Sequence, residues 1–133
     1  MSIAVGVVFA LLVGLFGATS ALDRDRAFYP VIMIVIAFYY VLFAVMGGSS
    51  QAVWLDAIIA AAFIAAAVVG FRHSLWIVVA ALAGHGILDS FHGAVVANPG
   101  VPAWWPGFCI GYDIAAAAFL AWRLKGGRVR ATP

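Results

Sequence analysis

Hydrophobic positions along this chain fall into long blocks separated by short polar or turn-forming stretches. A helix that crosses a bilayer needs about 20 mainly apolar residues. Five blocks meet that need, over residues 3–22, 28–47, 52–70, 75–96 and 108–122, the last being the shortest. Gly47-Gly48-Ser49-Ser50 closes the second block. Asn98-Pro99-Gly100, Pro102 and Pro106 mark the longest loop, because Pro and Gly break helices and favour turns. The pattern predicts an all-α polytopic bundle of five transmembrane spans, folded as one domain over residues 1–133.

Composition removes the soluble alternative. Of 133 residues, 67% are hydrophobic and 9% are charged, against roughly a quarter charged in a soluble domain. A water-facing surface cannot be assembled from that inventory, so the expected partner is the lipid bilayer. No soluble catalytic domain fits beside the spans. The single cysteine, Cys109, excludes an intramolecular disulfide.

Charge placement orients the bundle. Arg24 and Arg26 precede the second block, Arg72 precedes the fourth, and Arg123, Lys125, Arg128 and Arg130 follow the fifth. With five crossings, all of these cations lie on one side. Cytoplasmic loops carry the excess of Lys and Arg, which predicts an N-out, C-in multi-pass protein of the cell inner (plasma) membrane. The same clustering at span ends argues against a nucleic-acid partner despite a pI near 9.0. The first block has no Lys or Arg before it, and its cleavage would leave Arg24 and Arg26 outside. It is therefore expected to be retained as a span rather than removed as a signal peptide.

Against this background the intramembrane ionisable residues stand out. Such groups are costly in lipid and mark functional sites by default. On a continuous helix His85, Asp89 and His92 fall at about 0°, 40° and −20° around the axis, so all three share one face of the fourth span. At about 1.5 Å per residue Asp89 lies roughly 21 Å from the inner end of its span, and Asp56 and Asp113 lie about 6 and 8 Å below the outer ends of theirs. Asp56, Asp89, His92 and Asp113 thus share a level in the outer half, with His85 nearer the midplane.

Two imidazoles and three carboxylates suit a divalent metal such as zinc, copper, iron or manganese. Bundles build such sites from facing helices. Cys109 and Tyr112 share the Asp113 face by their spacing, and Tyr39 and Tyr40 are deep enough to reach the cluster. These four are secondary candidates, each with core packing as the plainer reading. The five central residues also have a plain reading, as interhelical hydrogen bonds averaging under about 1 kcal/mol. The spacing His-x3-Asp-x2-His is not the His-Glu-x-x-His motif of zinc proteases. Asp23-Arg24-Asp25-Arg26 reads as a solvated loop with local ion pairs. The tryptophans at positions 54, 76, 104, 105 and 122 read as interfacial anchors.

Gly84-His85, Asp89, His92, the run Asn98 to Pro106, Phe108-Cys109 and Tyr112-Asp113, with Arg26 to Pro30 and Tyr39-Tyr40, resemble a family of small uncharacterised bacterial integral membrane proteins. That resemblance implies a membrane bundle and no activity. The chain does not resemble membrane desaturases, which use many more histidines. Three functions follow as expectations: an outward-facing metal centre with enzymatic potential, an accessory or assembly subunit of a larger membrane complex, or a proton-coupled transporter or channel. The last would need a homo-oligomer, since five spans are few for a substrate path.

Overall fold

A computed structural model describes Met1 to Pro133 and contains only helices and connections. Helix α1 spans Ser2–Thr19, α2 Phe28–Met46, α3 Ser50–Arg72, α4 Leu75–Asp89, α5 His92–Val95 and α6 Trp105–Lys125, with a 3₁₀ turn at Leu22–Arg24. Four of these, α1, α2, α3 and α6, are long and apolar enough to cross a membrane. Helix α4 has 15 residues and, at about 1.5 Å each, spans only some 22 Å. Large apolar side chains such as Phe9, Phe16, Phe38, Trp54 and Ile58 project outward from the long helices. This is the surface of a membrane protein.

The ends of the helices follow their local chemistry. Ser49 Oγ accepts the backbone N–H of Ala52, capping α3, and Ser74 Oγ accepts that of Trp76, capping α4. Helix α6 starts at Trp105, ahead of the apolar block at 108–122. Pro106 sits in its first turn, where a missing N–H costs nothing.

The helix expected to continue over 75–96 instead ends at Asp89. The N–H of Ser90 bonds Ile87 O at 3.1 Å and that of Phe91 bonds Leu88 O at 3.0 Å, three residues back rather than four. Ser90 Oγ takes the same Ile87 carbonyl at 2.6 Å. Phe91 then leaves the helical region at φ −133°, ψ 8°, and the chain restarts as α5. Ser90 and Phe91 at the break are exposed, whereas His92, the first residue of α5, is buried.

Helix α4 packs against α2, α3 and α6; α1 packs on α6, and α2 on α3. Small residues permit the closest approaches. A Cβ on Gly6 would collide with Phe108 O of α6, and one on Gly111 with Ile3 O of α1. The shared core includes Met33, Ala60, Val78, Leu82 and Leu120.

The end that carries the cations is tied together by side chains. Asp23 is fully buried, and its Oδ2 accepts bonds from Arg123 Nε at 2.9 Å and Arg123 NH2 at 2.8 Å. The solvated loop expected at 23–26 is thus partly an internal anchor between the α1–α2 connection and α6. The tail folds back over it: Leu75 N–H bonds Ala131 O at 2.8 Å, and Arg26 donates to the carbonyls of Arg130 and Ala131, each at 3.2 Å.

Candidate functional site

Helix α4 lies among the others, and its polar residues therefore meet protein rather than lipid. His85 and Asp89, one turn apart, are both buried. Across the α4–α6 contact stands Asp113, also fully buried, with His85 Nδ1 2.8 Å from its Oδ2. The same Nδ1 lies 3.4 Å from Asp89 Oδ2. Gly86 allows this approach, because a Cβ there would press within 3.2 Å of the Asp113 Cβ. One donor atom from each of His85, Asp89 and Asp113 falls within 4.8 Å of the other two. Asp89 Oδ2 and Asp113 Oδ1 have no hydrogen-bond partner, although both are buried. Such orphaned acceptors are uncommon and require a physical cause.

Tyr40 of α2 holds Asp89 in place: its hydroxyl donates to Asp89 Oδ1 at 2.7 Å. Its ring also stacks on His92, with centroids 3.8 Å apart. Phe63 of α3 meets the His85 ring edge to face at 4.8 Å. The imidazole thus has Phe63 of α3 and Tyr40 of α2 as aromatic neighbours.

His92 and Asp56 form a separate pair. His92 Nε2 lies 2.7 Å from Asp56 Oδ1, and Asn98 donates to Asp56 Oδ2 at 2.7 Å and to Tyr40 O at 2.9 Å. Asn98 Oδ1 in turn accepts Gly100 N–H at 3.1 Å. Both Asp56 carboxylate oxygens are thus satisfied. The break at Ser90–Phe91 explains the division. The common face derived for His85, Asp89 and His92 holds only on an unbroken helix. With α5 re-aimed, His92 turns toward α3 while His85 and Asp89 stay with α6 and α2.

The secondary candidates divide as well. Tyr40 belongs to the site, and Tyr39 packs against Trp105 at 4.9 Å between ring centroids. Cys109 is buried and lies outside the group of three close donors, and the Tyr112 ring stacks on Phe108. Asn98 was missed at the sequence level, where Asn-Pro-Gly marks a turn. A turn asparagine ordinarily satisfies its own loop, and no spacing tied it to Asp56. Trp105 also turns inward against Tyr39 and Phe43 rather than serving only as an interfacial anchor.

The chain matches no protein-family model, curated protein or solved structure. The functional reading therefore rests on the site itself.

Proposed function

We propose that this is a five-crossing plasma-membrane protein, N-out and C-in, whose His85, Asp89 and Asp113 bind one divalent metal ion. The two unpartnered carboxylate oxygens beside one imidazole nitrogen carry this reading. Two carboxylates and a neutral imidazole bring two negative charges into a region of low dielectric, where uncompensated charge is expensive. A divalent cation neutralises both. A proton on His85 neutralises only one.

The spacing supports the same reading. Metal–nitrogen and metal–oxygen bonds of about 2.0–2.2 Å place tetrahedral ligands about 3.4 Å apart. The His85–Asp89 separation of 3.4 Å has that value, and the His85–Asp113 contact at 2.8 Å would lengthen by about 0.6 Å once an ion replaces its proton. Three protein ligands leave a fourth position for water or substrate, the arrangement of catalytic rather than structural zinc. Tyr40 orients Asp89 from behind, as outer partners of metal ligands do. The mixed nitrogen and oxygen donor set accommodates zinc, iron, manganese or copper.

A second reading is favoured by the direct 2.8 Å His85–Asp113 bond: the same three residues pass a proton in a transporter or channel. Proteoliposome flux separates the two readings. Metal-dependent binding without proton flux supports the metal centre. Proton flux abolished by Asp113→Asn in metal-free protein replaces it with the relay.

A further inference from the structure

A cavity of about 400 Å³ lies beside Asp113 between α2 and α6, with Phe9 of α1 at its edge. Neither α1 nor α6 packs closely along α2, so the space between them is left to side chains. Its mouth faces the lipid: Phe9, Val31 and Val35 on its rim are each about half exposed on the outer surface of the bundle, at 51%, 53% and 49%. The lining is apolar except for Asp113, its one charged residue, which is fully buried. Aromatic rings dominate, with Tyr39, Trp105, Phe108 and Tyr112 all contributing. Two lining residues hold buried polar atoms without partners, the acceptor Asp113 Oδ1 and the donor Trp105 Nε1.

We infer that this cavity is a lateral binding site for a lipid-soluble phenol, entered from the bilayer and ending at the Asp113 carboxylate. The size suits one substituted ring, since small-molecule sites span about 300–1,000 Å³ and are mostly apolar with few fixed polar groups. An aromatic ring stacks among aromatic walls. A phenolic hydroxyl donates to the Asp113 carboxylate, whose Oδ1 keeps a second lone pair beside the one offered to the metal ion, and an alkyl tail stays in lipid between α1 and α2. A water-soluble substrate has no comparable route, because the rim is hydrocarbon. This assignment names a substrate class for the proposed metal centre, and so rests on the reading of Asp113 as part of that centre.

The test uses the full chain in lipid nanodiscs with an alkylphenol that carries a diazirine on the carbon next to the ring. Its methyl ether and an aliphatic alcohol of equal length, both with the diazirine, serve as comparisons. After photolysis, mass spectrometry should place the phenol label within residues 31–39 and 105–112. Labelling should fall at least about fivefold with the methyl ether, with Asp113→Asn and with Val35→Trp, which fills the cavity without touching a metal ligand. Equal labelling by the aliphatic alcohol overturns the phenol assignment. Label spread over outward positions such as Trp54 and Ile58, or unchanged in Val35→Trp, overturns the site. Metal content measured on the same samples separates the two ideas. Stoichiometric metal with Val35-insensitive label defeats the cavity alone, whereas Val35-sensitive label on metal-free protein keeps the cavity as a phenol-binding site and defeats the metal centre, and with it the phenol's role as that centre's substrate.

Discussion

His85 and His92, on either side of the break between α4 and α5, sit in different surroundings. His85 Nδ1 bonds Asp113 Oδ2 and lies 3.4 Å from Asp89 Oδ2, and Asp89 Oδ2 and Asp113 Oδ1 are left without hydrogen-bond partners. His92 sits in a closed set with Asp56 and Asn98. Their substitutions should therefore differ in kind. His92→Ala should lower unfolding stability by about 1–3 kcal/mol, since it strips a partner from a buried carboxylate, and leave bound metal per chain unchanged. Loss of metal in step with loss of His92 would move that residue into the metal centre. Tyr40→Phe keeps the ring on His92 and removes only the hydroxyl that holds Asp89. Metal affinity, measured by competition with a chromogenic chelator, should drop about 10- to 100-fold, and unfolding stability should fall by about 1–3 kcal/mol because a buried carboxylate oxygen loses its donor. The residue types of this site were legible in the sequence, because ionisable groups within apolar blocks are conspicuous. Their pairing was not: which carboxylate meets which imidazole depends on helix contacts that spacing along one chain does not encode.

At the scale of elements, the apolar blocks and their flanking turns located every long helix, because block length and Gly/Pro punctuation carry that information directly. The interruption of the fourth block was hidden. Ser90-Phe91 is an ordinary helical dipeptide, and what ends α4 there is a local competition for the Ile87 and Leu88 carbonyls together with the tertiary hold on His92. Likewise Asp23 is one of four alternating charges, and only the distant Arg123 makes it internal. Breaking that pair with Arg123→Gln leaves a buried carboxylate without its cation, and should destabilise the end near the tail more than removal of the exposed Lys125 does. Hydrogen exchange at residues 22–28 would register the difference. The α1–α6 contact is set by glycine. Gly6→Val should cost about 1–3 kcal/mol or more through overpacking and release α1 from α6. Gly93→Ala, where an added Cβ meets nothing within 4 Å, should be neutral in the same unfolding assay.

For the whole molecule, the cations define one end and the His/Asp residues belong to the other half of the proposed span depth. This orientation is directly testable with introduced cysteines, the native Cys109 being buried. In intact cells a membrane-impermeant thiol reagent should label Ala103→Cys and spare Thr132→Cys, and the reverse pattern would invert the topology. The proposed metal centre depends on three buried side chains, His85 and Asp89 of α4 and Asp113 of α6. The decisive measurement is the metal content of the purified full chain by inductively coupled plasma mass spectrometry, after equilibration with micromolar zinc, iron, manganese or copper and removal of free ion. One tightly held divalent ion per chain is predicted, lost in His85→Ala and Asp113→Asn proteins that remain folded and retained in His92→Ala. Folded wild-type protein that holds no stoichiometric ion of any of the four metals would contradict it.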